Sequence, residues 1–329
     1  MTLRHESPEF ALIRQYFSQL TPSRADVLLG IGDDAALTRP PAGCVLATSV
    51  DTLVAGVHFF ETVSPEALGH KALAVNLSDL AAMGADPAWV TLALTLPEIN
   101  DRWLRGFAQG FSQLALAHGV QLIGGDTTRG PLSMTIQVQG FLPDGRGLCR
   151  DGAQVGDDIY VTGTLGDAAL ALHCLKQGLT DEPGIEALLS RLERPQPRVA
   201  VGQAVRDMAH SAIDLSDGLG ADLGHILESS GVGARVELSC LPCSAPVAEF
   251  MRTRNDWSLA VAGGDDYELC LTLPESCRAE MAELSLSLGL GITRIGRVED
   301  TPGLRWYDEN GRPWKSERSG FDHFSQHDA

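Results

Sequence analysis

Five apolar, strand-like runs in this chain lead straight into aspartates, three of them through a glycine. Residues 27–32 precede Asp33 and Asp34, 45–50 precede Asp51, and 120–125 precede Asp126. Residues 211–213 precede Asp214 and Asp217, and 259–264 precede Asp265 and Asp266. Any one of these is an ordinary turn, because Asp and Gly are good turn residues. Five together read differently, since the ends of strands are where α/β folds build sites and glycine lets backbone approach a ligand closely. Two carboxylates 4 Å apart repel by about 4 kcal/mol at an effective dielectric of 20 unless a cation lies between them. If these acids converge, they bind metal.

Asp79 adds to the set from a helix. It lies in an apolar stretch, 72–83, whose other polar side chains are Asn76 and Ser78, and Asn76 shares its face at the i, i+3 spacing. The periodicity alone also allows a solvent-facing Asp79. All the candidate ligands are oxygen donors, which select Mg²⁺, Mn²⁺ or Ca²⁺ over zinc. Mg²⁺ completes its shell with substrate phosphates, so an acidic site for several ions points to phosphate chemistry. The chain has only three lysines, Lys71, Lys176 and Lys315, and none stands in a G-x-x-x-x-G-K-[ST] loop. Metals would take the place of that lysine.

The elements that must position these residues alternate short apolar strands with amphipathic helices, an α/β or α+β pattern. Strands are expected at 26–29, 44–49, 89–96, 120–123, 132–141, 158–162, 212–215, 234–238, 267–273 and 292–298. Helices are expected at 64–83, at 168–176, at 198–209 and along the stripe Leu104, Phe107, Phe111, Leu114. A polar, Gly-containing stretch at 147–156 divides the chain into two domains, 1–150 and 151–329. That count agrees with the 329-residue length at roughly 100 to 200 residues per domain.

Composition closes off several function classes. Hydrophobic residues at 44% and charged residues at 21% describe a globular chain. The net charge of −18 opposes binding to nucleic acid or anionic membrane, which depends on Lys and Arg. No apolar run is long enough to span a bilayer and the first ten residues lack a secretory signal, so a cytoplasmic location is expected. Seven scattered cysteines suit reduced thiols. Cys240-x-x-Cys243 lacks a second pair and reads as structural. His58 and His70 flank the first acidic cluster, with a hydrogen-bonded structural role as the default. The run Gly163-Thr164-Leu165-Gly166-Asp167 is either a phosphate-facing turn or an ordinary strand-to-helix connection. No G-x-S-x-G elbow is present.

Taken together, the motifs resemble those of the thiamine-monophosphate kinases, in the ATP-binding superfamily of aminoimidazole ribonucleotide synthase and selenophosphate synthetase. The resemblance runs through Gly30-Ile31-Gly32-Asp33-Asp34-Ala35, Ser49-Val50-Asp51-Thr52, His58-Phe59, and Lys71-Ala72-Leu73-Ala74-Val75-Asn76-Leu77-Ser78-Asp79-Leu80-Ala81-Ala82-Met83-Gly84-Ala85. It continues with Gly124-Gly125-Asp126-Thr127-Thr128 and Val161-Thr162-Gly163-Thr164. The second half adds Ile213-Asp214-Leu215-Ser216-Asp217-Gly218-Leu219, Gly263-Gly264-Asp265-Asp266-Tyr267-Glu268-Leu269 and Gly320-Phe321-Asp322-His323-Phe324.

The resemblance implies an α/β N-terminal domain that binds ATP and Mg²⁺ and dimerises, and an α+β C-terminal domain that completes the ATP and substrate site. It implies transfer of the ATP γ-phosphate to thiamine monophosphate, the last step in making thiamine diphosphate, by a cytoplasmic homodimer. Carried over, the Mg²⁺ ligands are Asp34, Ser49, Val50 through its carbonyl, Asp51, Asp79, Asp126, Asp214 and Asp217, with Asp33 nearby. ATP meets Gly125, Asp126, Arg150 and Ser216, and thiamine phosphate meets His58, Asp265 and Phe321. Three positions depart from the commoner pattern: Val50 stands for Thr, Asp265 for Glu and Phe321 for Tyr. A phosphate acceptor is mostly a dianion at neutral pH, so no general base is expected and transfer is direct. Two alternatives remain: a superfamily relative that activates a ribonucleotide amide or selenide, and a non-catalytic cation- or nucleotide-binding module.

Overall fold

A computed structural model describes residues 7–179, 184–254, 256–316 and 320. The chain divides into two compact units, one of residues 1–80 and 85–145, the other of 81–84 and 146–329. In chain order the first half carries α1 (Pro8–Tyr16), β1 (Val27–Leu29), β2 (Leu37–Thr38), β3 (Cys44–Val54), α2 (Pro65–Ala82), β4 (Asp86–Leu96), α3 (Asp101–Ala117), β5 (Gln121–Arg129) and β6 (Ser133–Pro143). Its main sheet has the order β3-β6-β4-β5. The β3–β6 and β6–β4 pairs are antiparallel, and β4–β5 is parallel with α3 as the crossover. Helix α3 buries Leu104, Phe107, Phe111 and Leu114, the stripe read from sequence, and the Asn100 side chain caps its first turn. Helix α2 is buried almost all round, which explains why its sequence is so uniformly apolar.

The second unit carries β7 (Asp158–Thr162), α4 (Asp167–Gln177), α5 (Ile185–Glu193), α6 (Val199–Val205), β8 (Ser211–Asp214), α7 (Leu219–Ser230), β9 (Gly233–Glu237), α8 (Ala245–Arg254), α9 (Ser258–Ala262), β10 (Leu269–Leu273), α10 (Arg278–Leu288), β11 (Ile292–Glu299), β12 (Gly303–Tyr307) and β13 (Pro313–Trp314). Its sheet runs β13-β12-β9-β11-β7-β10-β8, antiparallel except for β9–β12. Strands β7 and β10 are buried at every position, and Ile159, Val161, Ile213 and Cys270 meet Leu223 and Ile226 of α7 in the core. Layered helices on a largely antiparallel sheet make this unit α+β, and the first, with its β4-α3-β5 crossover, is α/β.

Two acids expected beyond strand ends lie inside strands. Asp51 is the eighth residue of β3, whose pairing with β6 continues from Cys44 to Val54. Asp126 is within β5, because Gly125 serves close strand packing instead of ending the strand: a Cβ there would stand 1.9 Å from the Leu92 carbonyl oxygen. The strand expected from 267 starts at Leu269, since Tyr267 has a left-handed backbone (φ 48°) that no strand accommodates. The helix expected over 198–209 is confined to Val199–Val205.

Candidate active site

In the first unit, Ser49 and Asp51 stand two residues apart on β3 and so share one face, turned toward α2. The Ser49 hydroxyl donates to Asp79 Oδ2 at 2.6 Å, and the Asp51 N–H donates to Asn76 Oδ1 at 3.1 Å. Asn76 is itself oriented by donating to the Ala72 carbonyl at 3.0 Å. The i, i+3 pair on the helix is thus the face that receives β3. Asn76 is buried while Asp51 is exposed, so the polar contacts fix the strand with Asp51 at the surface. Val50 projects to the opposite side and is 55% exposed, which leaves only its carbonyl as a possible ligand on this row.

Asp33 and Asp34 lie between β1 and β2, both exposed, with the Asp34 N–H donating to Asp33 Oδ1 at 2.9 Å. Asp126 is exposed on β5, the far edge of the sheet from β3. Through β4 and β6 its register runs to Thr52 of β3, three strands away, beside the Ser49 and Asp51 row. Among the described residues no group of three or more His, Cys, Asp or Glu side chains is gathered closely enough to hold a metal alone. His58 Nδ1 accepts the Val54 N–H at 3.0 Å, which fixes the proton of the neutral ring on Nε2. His70 is buried on α2 and contributes to holding the pKa of His118 down, second to burial, and is structural.

In the second unit two motif loops interlock. The Asp265 N–H donates to the Ser216 carbonyl and the Tyr267 N–H to that of Leu215, while the Leu215 N–H donates to Glu268, each at 2.8 Å. Asp214 ends β8 and is buried; Ser216 and Asp217 are half-buried. The Asp217 turn is held from behind by Asp222, on the buried face of α7, whose Oδ2 accepts the N–H groups of Asp217 and Gly218 at 3.1 and 3.0 Å. Burial, and then the charge of Asp217, push the Asp222 carboxyl up to about 7, against the pull of those N–H groups and of Arg150. That coupling places the exposed Arg150 within electrostatic reach of this turn. Gly320 packs on it as well: a Cβ there would be 2.9 Å from the Asp217 carbonyl oxygen. Phe321 lies outside the described residues.

Asp265 and Tyr267, at φ 67° and 48°, are the only non-glycine residues in the left-handed region among those described. Such positions cost of order 1–3 kcal/mol each and persist where the surroundings over-determine them. The phosphate-facing reading of residues 163–167 does not hold for three of its N–H groups: Gly163 donates to Gly291, Leu165 to Pro242, and Gly166 to Asp266. Burial, reinforced by Asp266 and Asp167, pushes the Cys243 thiol up to about 12, which suits a structural cysteine. Asp266 was read only as one of the acids following an apolar run, and Asp222 and Glu268 were given no role. Asp222 carried a signal, an acid within the apolar stripe Leu219, Leu223, Ile226.

Two family models match the chain: the N-terminal domain of AIR synthase related proteins over residues 32–142, and their C-terminal domain over 154–309. A thiamine-monophosphate kinase of Escherichia coli (strain K12) is 50% identical over 320 residues, covering 96% of this chain and 98% of that protein. The crystal structure of a thiamine-monophosphate kinase from Stenotrophomonas maltophilia K279a is similar at 48% identity and a TM-score of 0.84, over 93% of this chain and 96% of the other. AaThiL, solved in complex with AMPPCP and TMP, is 32% identical with a TM-score of 0.76, over 89% and 92% of the two chains. With both domains matched, and half of its residues shared with a relative along nearly the full length, the chain belongs to the thiamine-monophosphate kinase family of AIR synthase related proteins.

Proposed function

We propose that the chain transfers the γ-phosphoryl group of ATP to thiamine monophosphate, giving ADP and thiamine diphosphate. The AMPPCP and TMP held by AaThiL support both substrate classes. One observation in this chain carries the reading: Ser216 and Asp217, assigned to the nucleotide and its metal, sit on the loop whose backbone is bonded to Asp265, assigned to the acceptor. Domain 1–150 is the ATP/Mg²⁺ and dimerisation domain, and 151–329 completes the ATP and substrate site.

Magnesium is the ion the family implies, and the donor chemistry fits it. The polar groups facing each other at β3 and α2 are hydroxyl, carboxylate and amide oxygens, with no thiol among them. Asp34, Ser49, the Val50 carbonyl, Asp51, Asp79, Asp126, Asp214 and Asp217 would hold several Mg²⁺ ions, which when bound neutralise the charge of the phosphates. Gly125, Asp126, Arg150 and Ser216 take ATP; His58, Asp265 and Phe321 take thiamine phosphate.

The acceptor is a phosphate monoester whose second pKa is about 6, so it arrives as a nucleophilic dianion and needs no general base. Alignment and charge neutralisation supply the catalysis. Arg150 pairs with phosphate as a charged donor. His58, with Nδ1 occupied by Val54, offers its Nε2–H to the acceptor. Asp222 holds the Asp217 turn, and no phosphoenzyme forms.

The second subunit of a homodimer docks on the first unit's sheet, a reading supported by β3, an edge strand with Val45, Leu46 and Val50 exposed. No disulfide joins any of the seven cysteines, which supports a reducing, cytoplasmic setting. No helix among the described residues is long and apolar enough to cross a membrane. The test is an assay of ADP and thiamine diphosphate formed together from ATP, Mg²⁺ and thiamine monophosphate. Turnover with a ribonucleotide amide or selenide instead would assign a different acceptor.

A further inference from the structure

The strained turn at Asp265 is bounded by two carboxylates that point inward. Glu268 is fully buried and accepts from Arg191 Nη2 and from Arg198 Nε and Nη2, each at 2.5 Å, and from the Thr162 hydroxyl at 2.6 Å. Gly163 makes room for it: a Cβ there would fall 2.1 Å from Glu268 Oε1. Asp266 is buried and accepts the Gly166 N–H on both oxygens at 3.1 and 3.0 Å, at the start of α4. Arg191 also lies 3.8 Å from Asp167, whose carboxylate accepts from the hydroxyls of Thr164 and Ser244. The left-handed residues, Asp265 and Tyr267, alternate with these two anchors.

Nothing local favours that backbone, since a bulky Tyr at positive φ is a genuine outlier. Something must hold it. A carboxylate without access to water and gripped by two guanidiniums is strongly fixed in place, because moving it would leave a buried charge without its partners. We propose that Glu268 with Arg191 and Arg198, and Asp266 with the Gly166 N–H, form a clamp that holds residues 265 and 267 left-handed and thereby sets the position of the Asp265 carboxylate toward thiamine phosphate. All five are positioning residues. The last step rests on the acceptor role given to Asp265 above.

The test uses the full-length protein with Arg198→Gln, which keeps much of the stem and removes the charge; Arg191→Gln replaces it if that variant does not fold. The first readout is hydrogen exchange at the Asp265 and Tyr267 amides, which are bonded to Ser216 and Leu215. Exchange should speed up about tenfold or more, and Tyr267→Gly, which adopts positive φ freely, should slow it again in the double variant. The second is kinetic: the KM for thiamine phosphate should rise about tenfold while that for ATP moves less than about twofold. In an Asp265→Ala background the same charge removal should add less than about twofold. Unchanged exchange overturns the clamp. Equal effects on the acceptor KM with and without the Asp265 carboxylate overturn its coupling to the acceptor. Faster exchange with an unmoved acceptor KM, in both Arg198→Gln and Asp265→Ala, also overturns that coupling and locates the failure in the Asp265 assignment.

Discussion

The two units hold their candidate site residues by opposite means. In the first, side chains do the positioning and several acids lie at the surface: Ser49 binds Asp79, Asn76 binds the Asp51 backbone, and Asp34, Asp51 and Asp126 are exposed. In the second, backbone joins backbone, and the acids that shape the loops, Asp222, Asp266 and Glu268, are buried behind them. Exposed carboxylates suit ions that come and go with a nucleotide. Buried carboxylates behind a strained turn hold a shape. Under the proposed function, the exposed acids of the first unit and Asp217 of the second would hold the ions, while the buried acids behind the second unit's loops fix the shape of those loops.

That contrast breaks first at the acids themselves. Asp126→Asn and Asp217→Asn should each lower turnover by on the order of a thousandfold or more, the scale of losing several kcal/mol of charge stabilisation, with circular dichroism and melting temperature nearly unchanged. Near-normal turnover in either would remove it from the metal set. Next comes Asn76→Ala, which frees the Asp51 backbone without touching a proposed ligand. It should raise the Mg²⁺ concentration for half-maximal activity, and weaken Mg²⁺ binding measured by calorimetry, about 10- to 100-fold. In the second unit Asp222→Ala strands the N–H groups of Asp217 and Gly218 and should cost about 1–3 kcal/mol in denaturant unfolding. Asp222→Asn, whose amide oxygen still accepts, should lose less. The smallest effect belongs to Phe321→Ala, expected to raise the KM for thiamine phosphate roughly three- to tenfold through lost ring contact, with kcat and the ATP KM little changed.

Regular elements with one clear period were legible in the sequence. The stripe of α3 and the strands expected at 44–49, 132–141 and 158–162 are present, although the first runs on to Val54 and the second to Pro143. Helices α1, α5, α7, α8, α9 and α10 were not separated from their surroundings, and β2, β12 and β13 were missed. Asp222 sits on the apolar stripe of α7 and obscures it, while β13 has two residues and no period to detect. Pairing partners decide where a strand ends, so Asp51 and Asp126 fell inside strands that local sequence seemed to close.

At the site, residues whose chemistry faces a ligand stood out because Asp after a strand is conspicuous. Residues that act through another residue did not. Glu268 reads as one more acid beside an apolar strand, and its partners Arg191 and Arg198 lie some 70 positions earlier in the chain. Only the fold reveals that the three meet. The left-handed backbone of Tyr267 is equally invisible, since nothing in a tyrosine announces positive φ.

The most direct measurement follows ATP, ADP, thiamine monophosphate and thiamine diphosphate together, with and without Mg²⁺, for the unaltered chain and for Asp217→Asn. One thiamine diphosphate should form per ADP, only with the divalent ion, and almost none from the variant. ADP formed without thiamine diphosphate, or thiamine diphosphate formed equally well after the ion is chelated, would contradict the proposed function.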